Sequence, residues 1–193
     1  HGPPQQQQQN TPFQQPEPWP AAFPNPIIGI ERNGIITSKG LEIIEESLNA
    51  IKMIRQKKYK LVLISDERGK TEQQGMSDLN TLMNNFGRAG IQNIDNAYFS
   101  ISTDKADQFV KPSTGMFKRA AKEVVGADWN KGWYLGVTIN DLKAAYKVGA
   151  TPVLIKTPYF ADTLNKLNSF SNKDLKKKTK TFNSLLEFAT SLK

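Results

Sequence analysis

From residue 27 onward, short apolar runs alternate with longer segments whose apolar residues recur at helical spacing, and this alternation restricts the fold more than any other feature. Ile27 to Ile30, "KLVLIS" at 60–65, "NAYFSI" at 96–101, "GWYLGV" at 132–137 and "TPVLIKT" at 151–157 read as strands. "KLVLIS" carries a continuous apolar run, Leu61 to Ile64, of the type buried on both faces of a parallel sheet. Between the strands, residues 40–57 place Leu41, Ile44, Leu48, Ile51 and Ile54 on one helical stripe. Residues 71–90 place Met76, Leu79, Leu82, Met83 and Phe86 inward, with Gly87 or Gly90 near the helix end. Residues 114–125 and "INDLKAAYKVG" at 139–149 supply two more helices. Such a sequence predicts an α/β fold, a doubly wound, Rossmann-like parallel sheet with right-handed crossovers. Ligands of such sheets bind at the carboxyl ends of the strands. That rule singles out the turns after Ile30, Ile64 and Leu135 and the loop holding Lys111.

Composition separates this domain, residues 27–193, from what precedes it. Residues 1–26 carry 8 of the 11 prolines, a run of five Gln and one formal charge, Glu17. Proline removes backbone donors and Gln-rich stretches have too little apolar content for a core, so this segment reads as an extended arm. Phe13, Trp19 and Phe23 punctuate it, as aromatic anchors of an extended partner-binding segment would. The chain has no cysteine and its one histidine is His1. Thiolate chemistry, cysteine zinc sites and histidine triads are thereby excluded. No apolar run reaches the roughly 20 residues that span a bilayer, so the chain is expected to be soluble, cytoplasmic or within a macromolecular assembly. The net charge is +8, much of it from "KDLKKKTK" at 173–180. A nucleic acid or an acidic protein surface would suit that run. A solvated helix face suits it better, because no aromatic residue interleaves with the lysines.

The four strand-end positions carry a resemblance. "IGIERNGII", "VLISDERG", "KPSTGMF" and "LGVTINDLKAAYKVGA" occur in the order, spacing and strand context of the four motifs of the haloacid dehalogenase (HAD) phosphatases. Over residues 27–156 the chain resembles the histidinol phosphatase and heptose bisphosphate phosphatase branch, with a minimal cap. The resemblance implies an aspartyl nucleophile and an aspartic general acid and base in the first motif, and a magnesium-binding Asp in the fourth. Here those positions hold Glu31, Asn33 and Val137. Glutamate keeps the charge but moves it by about one C–C bond, and misplacements near 1 Å can cost about a hundredfold. An amide at Asn33 has no proton to exchange, and Val137 offers no oxygen to a cation that needs near-octahedral oxygen coordination. By the same resemblance Ser65 and Lys111 stand where phosphoryl oxygens are held, as a residual phosphate site. Lys111 also suits a structural role, paired with Glu31 or Asp66. Glu31 and Asp141, with Asp66 nearby, are weak candidates for metal binding. The zinc loop of some heptose phosphatases needs Cys and His and is missing.

The expected protein is a catalytically inactive HAD-like pseudophosphatase without a cofactor. It would act as a structural or scaffolding subunit of a larger protein assembly, with the N-terminal arm contacting protein partners. Two alternatives stand beside it: an atypical magnesium-dependent phosphatase using Glu31, and a module that binds a phosphorylated ligand.

Overall fold

A computed structural model describes residues 23–91 and 93–193. Phe13 and Trp19 lie outside the described residues. The sheet has six parallel strands: β1 (Asn25–Ile30), β2 (Tyr59–Asp66), β3 (Asn96–Ser100), β4 (Trp133–Gly136), β5 (Thr151–Ile155) and β6 (Lys180–Phe182). Their spatial order is β3-β2-β1-β4-β5-β6, so β1 sits centrally and the chain winds outward in both directions. All five neighbouring pairs are parallel.

Seven helices cover the two faces among the described residues: α1 (Glu45–Gln56), α2 (Glu72–Arg88), α3 (Gly115–Glu123), α4 (Ile139–Lys147), α5 (Phe160–Leu167), α6 (Lys173–Lys178) and α7 (Leu185–Ser191). The two-residue period of the strands feeds both layers. Ile28, Ile30, Leu61 and Leu63 pack under α1, α2 and α7, where they meet Ile51, Ile54, Leu82, Phe86 and Phe188. Ile27, Val62 and Ile64 point the other way, toward Met116, Phe117, Trp129 and Ala144. Leu154 joins Leu142, Leu167 and Leu175 in a third cluster beneath α5 and α6. Gly29 is required on the second face: a Cβ there would lie 2.8 Å from Trp129 and 2.9 Å from Tyr134.

The structure corrects several boundaries. The helix expected from residue 40 starts at Glu45, because Thr37 and Ile43 first form an antiparallel bridge and Gly40 adopts a positive φ of 52°. Met76, placed inward by its spacing, is 46% exposed. The first turns of α2 overhang the edge strand β3, where Met76 borders an open cleft with Tyr98, Phe99 and Phe109. The "KDLKKKTK" stretch forms α6 and the first residue of β6, with its lysines exposed as a solvated face. Phe23 is buried against the domain itself: the Arg55 guanidinium lies 4.0 Å from its ring centre, and Lys60 Nζ donates to its carbonyl at 2.6 Å. Among the described residues no helix is long and apolar enough to cross a membrane.

The C-terminal helix closes the first layer. Phe188 on α7 is 1% exposed and makes edge-on contacts with Trp133 and Phe182 at ring-centre distances of 6.0 and 5.4 Å. Truncating such a ring removes its transfer energy and leaves a cavity, so Phe188→Ala should lower stability by about 3–5 kcal/mol in urea denaturation. A loss within about 0.5 kcal/mol, the ordinary surface range, would show that α7 is not integral to the core.

Candidate functional site at the carboxyl edge of the sheet

β1 hands its chain to the site without a break: Glu31 N donates to Leu135 O at 2.9 Å, which extends the pairing with β4 by one residue. The turn that follows needs Gly34, whose φ is +88°. Arg32 O accepts from Ile36 N and Thr37 N, and Gly34 N donates to Thr37 O at 2.8 Å, so the loop is fixed by its own backbone. Val137 is buried beside this turn, its Cγ2 3.5 Å from where a Gly34 Cβ would stand.

Lys111 is the centre of the site, and its side chain is fully buried. Its Nζ lies 2.6 Å from Asp141 Oδ1, 3.1 Å from Glu31 Oε1 and 3.8 Å from Asp66 Oδ2. It also donates to Tyr134 OH at 2.7 Å and to Ile64 O at 3.3 Å, while Tyr134 OH donates to the same carbonyl at 2.5 Å. Each acid has further donors. Glu31 Oε2 accepts from Asn33 N at 3.0 Å, and its Oε1 from Asp66 N at 3.3 Å. Asp141 Oδ2 accepts from Val137 N at 2.8 Å and Thr138 N at 3.0 Å, one half of the capping box that starts α4. Asp66 differs: its Oδ1 is buried with no hydrogen-bond partner.

One buried ammonium among three carboxylates leaves an excess of negative charge. Burial is the main reason the Glu31 carboxyl is pushed up to about 7; Lys111 opposes the rise and Asp141 adds to it. Burial also raises Asp66, against the pull of Lys111. For Lys111 burial works downward, yet Asp141 and Glu31 outweigh it and hold the ammonium well above its usual range. Burial raises the Tyr134 phenol, so it stays protonated and able to donate to Ile64 O.

A second ionic network flanks the first. Arg32 pairs with Glu67 and donates to Gly40 O at 2.9 Å, and Lys70 bridges Glu67 at 3.0 Å and Asp78 at 2.7 Å. The Asn33 side-chain amide joins it, donating to Glu67 Oε2 at 2.7 Å and to Asp66 O at 3.3 Å. Burial works to raise Glu67, but the Asn33 hydrogen bond and the Arg32 charge outweigh it and hold this carboxyl below its usual value.

The structure thus brings together Glu31, Lys111 and Asp141, with Asp66 alongside and Val137 in the same turn. Ser65 is buried but stands outside the Lys111 cluster, at a small cleft with Arg32, Leu63, Glu67 and Gly75. Sequence reasoning paired Lys111 with Glu31 or Asp66, whereas Asp141 is its nearest carboxylate. It missed Tyr134 altogether; a tyrosine between Trp133 and Leu135 in a buried strand was the available signal, since a buried phenol needs a partner. Glu31, Asp66 and Asp141 each direct a carboxylate oxygen to within 4.8 Å of the others, a donor set whose charge suits a divalent cation. The Lys111 ammonium lies among the same three carboxylates.

The fold has counterparts among solved structures. The D,D-heptose 1,7-bisphosphate phosphatase of B. bronchiseptica, complexed with magnesium and phosphate, superposes with a TM-score of 0.70 at 20% identity, covering 86% of this chain and 96% of the other. The same enzyme from Burkholderia thailandensis gives 0.65 at 20% identity over 86% and 97% of the two chains. A HAD-superfamily hydrolase from Ehrlichia chaffeensis gives 0.50 at 12% identity over 77% and 56%. The fold is that of the HAD phosphatases. No protein-family model matches the chain, and no curated protein matches it in sequence. Within the HAD fold, the loop after β1 carries Glu31 and Asn33, the turn before α4 carries Val137, and the first turn of α4 carries Asp141.

Glu31 holds its proton to about pH 7 in the folded chain and to about 4.5 when unfolded. Unfolding therefore releases a proton in this window, and the contribution of Glu31 to stability falls as pH rises through it, by an amount on the order of 3 kcal/mol. Glu31→Gln, which cannot ionise, should flatten that dependence when denaturation midpoints are compared between these two pH values. An unchanged slope would contradict the burial-driven shift.

Proposed function

We propose that this chain is a HAD-fold domain without phosphatase activity that serves as a structural or scaffolding subunit of a larger protein assembly, with its Pro/Gln-rich N-terminal segment contacting protein partners. The observation that carries the first half is at Asn33, which stands in the loop position of the general acid and base. Its amide has no proton to give a leaving alkoxide, and it is committed to Glu67 and the Asp66 carbonyl. The neighbouring Glu31 supports the same reading, since its oxygens already accept from Lys111, Asp66 N and Asn33 N. Lys111, whose charge is spent on Asp141 and Glu31, exposes no surface to an incoming anion. The second half rests on composition, with Phe13 and Trp19 as the anchors and Phe23 fastening the segment's root to the domain.

A magnesium-dependent turnover assay with p-nitrophenyl phosphate should show no hydrolysis above background. Restoring Glu31→Asp, Asn33→Asp and Val137→Asp together should bring measurable hydrolysis. Turnover by the unaltered chain that disappears in Glu31→Gln would overturn the proposal. Removing residues 1–22 should abolish the partners that co-purify with the full chain while leaving its melting temperature unchanged; partners retained after truncation would count against the scaffolding role.

One observation favours a second reading, an atypical magnesium-dependent phosphatase. Asp66 Oδ1 has no hydrogen-bond partner, and it stands among oxygens that could hold a cation. Glu31, Asp66 and Asp141 would bind the ion, which would supply charge neutralisation for a phosphoryl group. Lys111 and the Asn33 N–H would orient Glu31. The same turnover assay decides between the two.

A further inference from the structure

The lysine-rich stretch at 173–180, which holds no aromatic residue, is preceded by exposed aromatic residues at Tyr159 and Phe170. Residues 156–180 hold seven lysines against Asp162 and Asp174. Leu154, Leu167 and Leu175 pin α5 and α6 to the face of β5, which turns the lysines outward. Among the described residues, Lys166 is the one of the seven with an acidic partner, Asp162 at 3.2 Å. The rest of this charge is left facing water.

Two aromatic rings stand in that field. Phe170, between α5 and α6, is 82% exposed, and Lys173 Nζ lies 4.6 Å from its ring centre. Tyr159, at the start of α5, is 65% exposed, and beside it Lys156 Nζ lies 5.3 Å from the Phe160 ring. An 82%-exposed phenylalanine contributes little to the core. Rings flanked by ammonium groups match the alternation of bases and phosphates in a nucleic-acid strand. Tyr159 precedes α5 and Phe170 follows it, so the two rings flank a helix about 12 Å long.

We propose that the face formed by Tyr159, Phe170 and the lysines of α5 and α6 binds single-stranded nucleic acid. A duplex keeps its base faces stacked internally and would leave the rings unused. An acidic polypeptide would use the lysines but not Phe170. A membrane surface calls for a continuous apolar stripe, and the leucine stripe of this hairpin faces inward. The proposal is independent of whether the Glu31 site is active.

The test is fluorescence anisotropy of a short labelled oligouridylate with the full chain across a salt series. Saturable binding should weaken at least about fivefold in Phe170→Ala and persist in Phe170→Tyr. Replacing Lys176, Lys177 and Lys178 together by Gln should reduce the slope of log affinity against log salt by about two. Melting temperatures should be unchanged, since these side chains are exposed. No saturable binding would overturn the proposal. So would Phe170→Ala binding as tightly as the unaltered chain, which would leave only an electrostatic face for an acidic protein. Phosphatidylserine vesicles competing better than unlabelled oligouridylate would overturn it in favour of a membrane surface.

Discussion

The carboxyl edge of this sheet is organised around one buried ammonium. Lys111 Nζ reaches Glu31 after β1, the Ile64 carbonyl of β2, Tyr134 on β4 and Asp141 at the start of α4. Burying an ion costs several kcal/mol, and geometry of this quality is what offsets it. The consequence is structural as well as electrostatic: three central strands and a helix converge on one side chain. Burial, with Asp141 adding to it, is why Glu31 holds its proton toward neutrality.

On the proposed reading, the same centre would let a phosphatase fold persist without its chemistry. Glu31 after β1, Lys111 after β3 and Asp141 in the first turn of α4 satisfy one another at this edge. On the proposed reading, bond-making would ask for more: a carboxylate at the reach of aspartate, an exchangeable proton at position 33 and an oxygen at position 137. Glu31, Asn33 and Val137 depart at these three points while the packing beneath them stays intact, with Val137 and Leu135 in the core. Fold and function are separable on such a scaffold. On the proposed readings, partners would be met by the N-terminal segment and by the lysine-aromatic face over β5.

Much of this was legible in the sequence because two-sided burial leaves apolar runs such as residues 60–65, and because the strand-end rule points to a few loops. What escaped did so for physical reasons. β6 is three residues long with Lys180 and Thr181 exposed, so it has no apolar signature; α6 is six residues, too short for a period to show. Helical spacing gave Met76 an angle around α2 but could not say that the sheet ends beneath it. The motifs placed Glu31, Lys111 and Asp141 at one edge, yet the choice of Asp141 as the nearest partner of Lys111 depends on the Thr138 capping box that aims it. Tyr134 was invisible because its role is a hydrogen bond to a distant backbone carbonyl.

The dependence of the edge on Lys111 is measured most directly by a double-mutant cycle in chemical denaturation with Lys111→Met and Asp141→Asn. Close, desolvated charge pairs couple strongly, so a coupling energy of about 1.5 kcal/mol or more is expected. Additive single effects, with coupling near zero, would contradict the claim that this ammonium holds the site together.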